Sequence, residues 1–163
     1  MSTDPVTQAE QTVATAPAAT EPTTAVIVRK ADDFIRLLGD TAAAPIHNFE
    51  GDGMEQWRWT ALAKNGMHGK IEDARGKDIP LRYFYVHPVR INGPSNGEFI
   101  DTVRCVLFST AGVSFAFVSE GVAQSLADLV QAIGFGPWEN PPLIQIKEGS
   151  TRAGRRFYSI VPA

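Results

Sequence analysis

From Gly76 onward, apolar and polar positions alternate with a period of two, interrupted by one stretch with helical spacing. Ile79 to Ile91 (IPLRYFYVHPVRI) is rich in β-formers and predicts a strand with Ile79, Leu81, Tyr83, Tyr85, His87, Val89 and Ile91 on one face. Pro80 and Pro88 carry no N–H to donate, so they belong at an edge or a bulge. The turn-rich segment 91–97 (INGPSNG) leads into a second strand, Phe99 to Ser109. Thr110-Ala111-Gly112 is a tight connection to a third, Val113 to Ser119, so these two form a predicted hairpin. Phe108, Phe115 and Phe117 are expected in the interior. Ser119 is a natural N-cap, Glu120 an acidic first turn, and Val122, Leu126, Leu129, Val130 and Ile133 follow at helical spacing until Gly134. After the Pro-rich loop 135–142, Leu143 to Glu148 and Arg155 to Val161 predict a closing hairpin across Gly149 to Gly154.

The resulting order, β-β-β-α-β-β, is that of the five-stranded OB barrel, whose helix plugs the barrel between its third and fourth strands. The expected fold class is therefore mainly β, an OB-like barrel over residues 76–163 with an N-terminal extension over 25–75 packed on it. In that extension ADDFIRLL (31–38) predicts a short helix and 42–52 a loop. MEQWRWTALAK (54–64) fits a helix with Trp57, Ala61 and Lys64 on one face, yet its WRW alternation fits a strand as well.

Composition changes the picture at the two ends. The chain has 163 residues, 44% of them hydrophobic, which suits one domain with a core. Residues 1–24 hold Asp4, Glu10 and Glu21, no Lys or Arg, and no aromatic residue, and predict a disordered acidic tail. Those three acids account for the whole formal charge of −3 and leave 15 basic against 15 acidic residues in 25–163. The basic excess lies at the other end: Lys147, Arg152, Arg155 and Arg156, with no acidic residue from Gly149 to Ala163.

Several function classes lose support. The single cysteine, Cys105, excludes an intramolecular disulfide and fits a buried small hydrophobe in a reducing compartment. His47, His68 and His87 have no Cys or carboxylate at ligand spacing, so no metal site is expected. There is no P-loop, no G-x-S-x-G turn, and no strand-then-helix context around GFGPW, hence no expected cofactor and no expected enzyme activity. With neither a signal sequence nor a membrane-length apolar run, the expected location is the host cytoplasm, without membrane association.

Four blocks carry a family resemblance: YVHPVRI (85–91), IDTVRCVLFSTAGVSFAFVSEGVAQSL (100–126), GFGPW (134–138) and STRAGRRFY (150–158). Together they resemble small single-stranded DNA-binding proteins of bacteriophages and mobile elements. The resemblance implies an OB-type fold, single-stranded DNA as the partner with replication proteins as further ones, and a role coating single strands during replication or recombination.

The chemistry of such binding is a basic groove for phosphates and flat aromatic faces that accept any base. Interleaved residues of both kinds are the candidates: Arg82, Tyr85 and Arg90 on the first strand, Arg104 on the second, Trp138 in the Pro-rich loop, and Lys147, Arg152, Arg155, Arg156 and Tyr158 on the last hairpin. A non-catalytic protein-interaction or virion-associated module on the same small barrel is the alternative. Convergence of Arg82, Arg104, Arg152 and Arg156 on one groove favours nucleic acid; scattered arginines with an exposed apolar patch favour a protein partner.

Overall fold

A computed structural model describes residues 43–152 and 154–163. The predicted tail (1–24) and the predicted helix 31–38 lie outside these residues. The element order is β1 (Ile46–His47), α1 (Gly53–Asn65), α2 (Ile71–Ala74), β2 (Ile79–Asn92), β3 (Phe99–Ser109), β4 (Ser114–Val118), α3 (Glu120–Ile133), β5 (Leu143–Ser150) and β6 (Arg156–Pro162). All six strands join one antiparallel sheet ordered β4-β3-β2-β5-β6, with β1 also paired to β2.

Strand β2 organises the molecule because its two ends have different neighbours. Ile79 and Pro80 pair with Ile144 and Leu143 of β5, while Leu81 to Asn92 pair with β3. A bulge between Leu81 and Tyr83 makes Arg82 the extra residue. An extra residue inverts the alternation beyond it. The single face expected from Ile79 to Ile91 is therefore split. Ile79 and Leu81 share a core with Phe84 and Val86, whereas Tyr83 and Tyr85 point to the opposite side.

The larger core lies between the sheet and α3. It joins Val103, Cys105, Leu107, Phe115 and Phe117 to Val122, Leu126 and Val130. The predicted caps of α3 are present: Ser119 Oγ accepts from Val122 N–H, and Gly134 follows the last turn with φ of 85°. The smaller core, on the other face, holds Phe49, Ala63, Tyr83, Tyr85, Val106 and Phe108, with Trp59 packed against it. Phe108 is thus buried as expected, but on the face away from α3 rather than in the barrel interior with Phe115 and Phe117.

The ambiguous segment 54–64 is helical. Asp52 caps it by accepting from the N–H groups of Met54 and Glu55. Its packing face is Trp59 and Ala63 rather than Trp57, Ala61 and Lys64; Trp57 is exposed.

The sheet is not a closed barrel, since among the described residues no ladder joins β4 to β6. Side chains span that gap. Ser119 Oγ donates to Tyr158 O at 3.1 Å, Ile160 N donates to Ser125 Oγ at 3.3 Å, and the rings of Phe117 and Tyr158 meet edge to face at 5.7 Å. A side chain at Gly121 would collide with Tyr158 O, so this close approach needs glycine. The start of α3 satisfies backbone groups of β6 that a strand would otherwise pair.

Candidate nucleic-acid interface

The β5–β6 hairpin holds the densest basic cluster. Its register pairs Ile146 with Ile160, Glu148 with Tyr158 and Ser150 with Arg156 on one side, and Lys147 with Ser159 and Gly149 with Phe157 on the other. Ile146 and Ile160 are buried, so the first set faces the core. Tyr158 follows that parity: it is half-buried against Phe117. Phe157 has the outward parity and is 41% exposed. A Cβ on Gly149 would lie 2.4 Å from the Phe157 ring, so the ring lies directly across the glycine backbone. One flat face is supported by the strand.

An open cleft of about 720 Å³ adjoins this hairpin, lined by Arg75, Gly76, residues 146–150, Gly154 and Arg156. Within it the Glu148 carboxylate takes both Arg75 and Arg156 as partners, the latter with Nε 3.4 Å from Oε1. Lys147 also borders the cleft, with the register parity opposite to that of Glu148. Arg152 and Arg155 are exposed on the adjoining turn, which is tied by Thr151 N to Arg155 O and Gly154 N to Thr151 O.

The remaining candidates lie elsewhere. Arg82, exposed at the bulge, lies over the Tyr83 ring at 4.8 Å. Arg90 binds Asp101 through two hydrogen bonds, of 2.7 and 3.1 Å, across the β2–β3 ladder. The pair holds the Asp101 carboxyl below the usual range and raises Arg90 further, the hydrogen bond being the main cause in both. Arg104 stands opposite His87 and donates to Lys64 O at 3.3 Å, at the C-terminal end of α1. Burial, then Arg104 and Lys64, lower the His87 pKa to about 4.

Tyr85 is 0% exposed, with Phe49 stacked on its ring at 5.9 Å, so neither face is open to a base. Trp138 is half-buried, donates Nε1–H to Gly134 O and packs against Phe84; it anchors its loop. Of the expected residues, then, Lys147 and Arg156 share one cleft, with Arg152 and Arg155 beside it. Arg82, Arg90, Arg104, Tyr85 and Trp138 do not line it, so the expected convergence of Arg82, Arg104, Arg152 and Arg156 on one groove is not found.

Sequence reasoning missed Arg75, and of the two adjacent aromatics on the last hairpin it chose Tyr158 over Phe157. Nothing in IEDARG marks Arg75, because its position depends on an isolated parallel bridge to Ile146. Phe157 was within reach: counting outward from the Thr151–Gly154 turn pairs it with Gly149 and sets its parity opposite to that of Ile160.

Residues 84–161 match the phage single-stranded DNA-binding protein family, a phi29-type family model. The match supports single-stranded DNA binding in general. It begins inside β2, runs through β6 and so includes the basic hairpin with Phe157; α1, Arg75 and Arg82 lie outside it. No curated protein and no solved structure matches the chain. No helix among the described residues is long and apolar enough to cross a membrane. Among the same residues, no group of three or more His, Cys, Asp or Glu side chains could hold a metal ion.

Proposed function

We propose that this protein is a non-catalytic coat for single-stranded DNA, tolerant of sequence, acting in phage or mobile-element replication or recombination in the host cytoplasm. The observation that carries this reading lies within the family match: an exposed, strand-supported aromatic ring set in an arginine-rich hairpin. Arginines there serve the phosphates, and a phenyl face accepts any base. The strand order, with α3 between β4 and β5, supports an OB-type half-barrel held together by side chains. In OB folds, oligonucleotides use the sheet face of the second and third strands and the loops corresponding to β2–β3 and β5–β6 here. Because α1 packs over that sheet face at Val106, Phe108 and Ala116, binding falls to the hairpin.

The test is fluorescence anisotropy of a labelled thymidine oligomer over a salt series, with duplex and mixed-sequence competitors. Single strands should be preferred, base composition should matter little, and affinity should fall steeply with salt, with a log–log slope near −0.7 per phosphate contacted. No binding at low salt would sink the proposal. A protein-interaction or virion-associated role is the second reading. It is favoured by the apolar end of the β2–β3 ladder, where Ile91, Phe99 and Ile100 are exposed. If that surface serves a protein, Phe99→Ser with Ile100→Ser abolishes the protein contact and leaves oligomer binding intact.

A further inference from the structure

The cleft beside the last hairpin contains an arrangement that free surface arginines rarely adopt. Two guanidiniums from separate parts of the chain, Arg75 before β2 and Arg156 on β6, bind different oxygens of one carboxylate. We propose that this cleft is a phosphodiester subsite, and that the Glu148 carboxylate occupies the phosphate's position until a strand arrives. The inference rests on the single-stranded DNA reading and names the place where one phosphate binds.

Shape and access support the assignment. A carboxylate and a phosphodiester each present two anionic oxygens to a forked donor, so a site built for one suits the other. The Glu148 side chain is 17% exposed, against 45% for Arg75 and 77% for Arg156. The acid lies at the bottom and the arginines at the rim, so an incoming anion meets the guanidiniums first. Gly76 and Gly154 in the lining leave open space where side chains would project.

The charge balance also favours exchange. Around the carboxylate, Arg75 and Arg156 stand against Glu148, a surplus of one positive charge with the acid in place, and Lys147 borders the cleft from the other side of β5. A partly exposed ion pair contributes little net stability, so breaking it is cheap. A phosphodiester that replaces the carboxylate adds the release of condensed counterions, which the internal acid cannot supply. Phe157 lies across Gly149 on the other side of the hairpin from Glu148 and Arg156 and is not part of this lining. Arg75 lies outside the family-matched residues, so this subsite is completed by the chain's own N-terminal extension.

The full chain and its E148Q variant are compared on a labelled thymidine oligomer across a salt series, with thermal melts alongside. Removing the internal competitor should tighten binding about tenfold at low salt, the order of one added charged contact. It should also steepen the log–log slope by about 0.7. Arg75→Ala should do the reverse, flattening the slope by about 0.7, with Arg75→Lys restoring most of it. In the double variant the gain from E148Q should shrink. Weaker or unchanged binding by a folded E148Q would overturn the proposal and make Glu148 a brace for the arginines. Arg75→Ala binding as wild type does would overturn it independently, even if E148Q fails to fold. Wild-type protein that binds no oligomer would instead overturn the DNA reading itself, together with the subsite.

Discussion

Two of the exposed hairpin ends among the described residues, β2–β3 and β5–β6, each carry arginine and phenylalanine within a few residues of a glycine-containing turn. At the first, Arg90 faces Asp101 directly across the ladder and its fork is filled by that carboxylate. Its neighbours Ile91, Phe99 and Ile100 are exposed and uncharged, and Glu98 adds a negative charge. At the second, one acid serves two arginines, Lys147 stands beside them, and Arg152 and Arg155 add charge on the turn. The difference lies in cross-strand placement as well as in the count of arginines. A register that sets Asp opposite Arg cancels a hairpin's field locally; one that sets Ser150 opposite Arg156 and Gly149 opposite Phe157 leaves field and ring available.

The harshest way to break the comparison removes what both hairpins stand on. Leu126 is fully buried in the core beneath the sheet, and Leu126→Ala should cost about 2–5 kcal/mol in a denaturant titration. Next, replacing Arg152, Arg155 and Arg156 together with Ala should weaken oligomer binding at low salt on the order of a hundredfold and flatten the salt slope by up to ~2 units. An intact slope would move the groove elsewhere. Phe157→Ala should lose about 1–3 kcal/mol of binding with the slope unchanged, because no ion is released, while Phe99→Ala should bind as wild type does.

Acid should act on stability at the β2–β3 side. Burial holds the folded His87 pKa at about 4, below its unfolded value of 6.5, so the unfolded chain takes up the proton first. The contribution is complete above pH 6.5, is lost as pH falls towards 4, and amounts to about 1–2 kcal/mol after allowance for partial exposure. Thermal melts of His87→Gln should show a flatter pH dependence over that window. The smallest effect belongs to Arg90→Ala, which should leave oligomer affinity within about twofold of wild type, since Asp101 already balances the charge. A large loss there would erase the distinction between the two hairpins.

Much of this was readable in the chain. The strands from Ile79 to Val161, the hairpin turns and both caps of α3 follow from alternation, helical spacing and Gly or Ser at fixed offsets. What could not be read is parity after an irregularity. The bulge at Arg82 leaves no local signature, yet it sends Tyr83 and Tyr85 under α1 and makes Tyr85 unavailable to a base. On β6 the same period of two separates Tyr158, turned to the core, from its neighbour Phe157, turned to solvent. For Trp138, set among prolines, the sequence leaves a stacking platform and a loop anchor equally open, and tertiary contact with Phe84 decides its place. Segment 54–64 resisted assignment because only Ala63 in α1 is fully buried, so no apolar stripe marks the helix.

The serines at the start of α3 bear on how neighbouring copies behave. A strand at the margin of a sheet is a template on which another chain can add, and proteins arrayed side by side on one polymer bring such margins together continually. Here Ser119 and Ser125 already bond Tyr158 O and Ile160 N on β6, while Gly69 N–H takes Ser114 O on β4. With these backbone groups of both margins engaged from within, fewer are left for another chain to pair with.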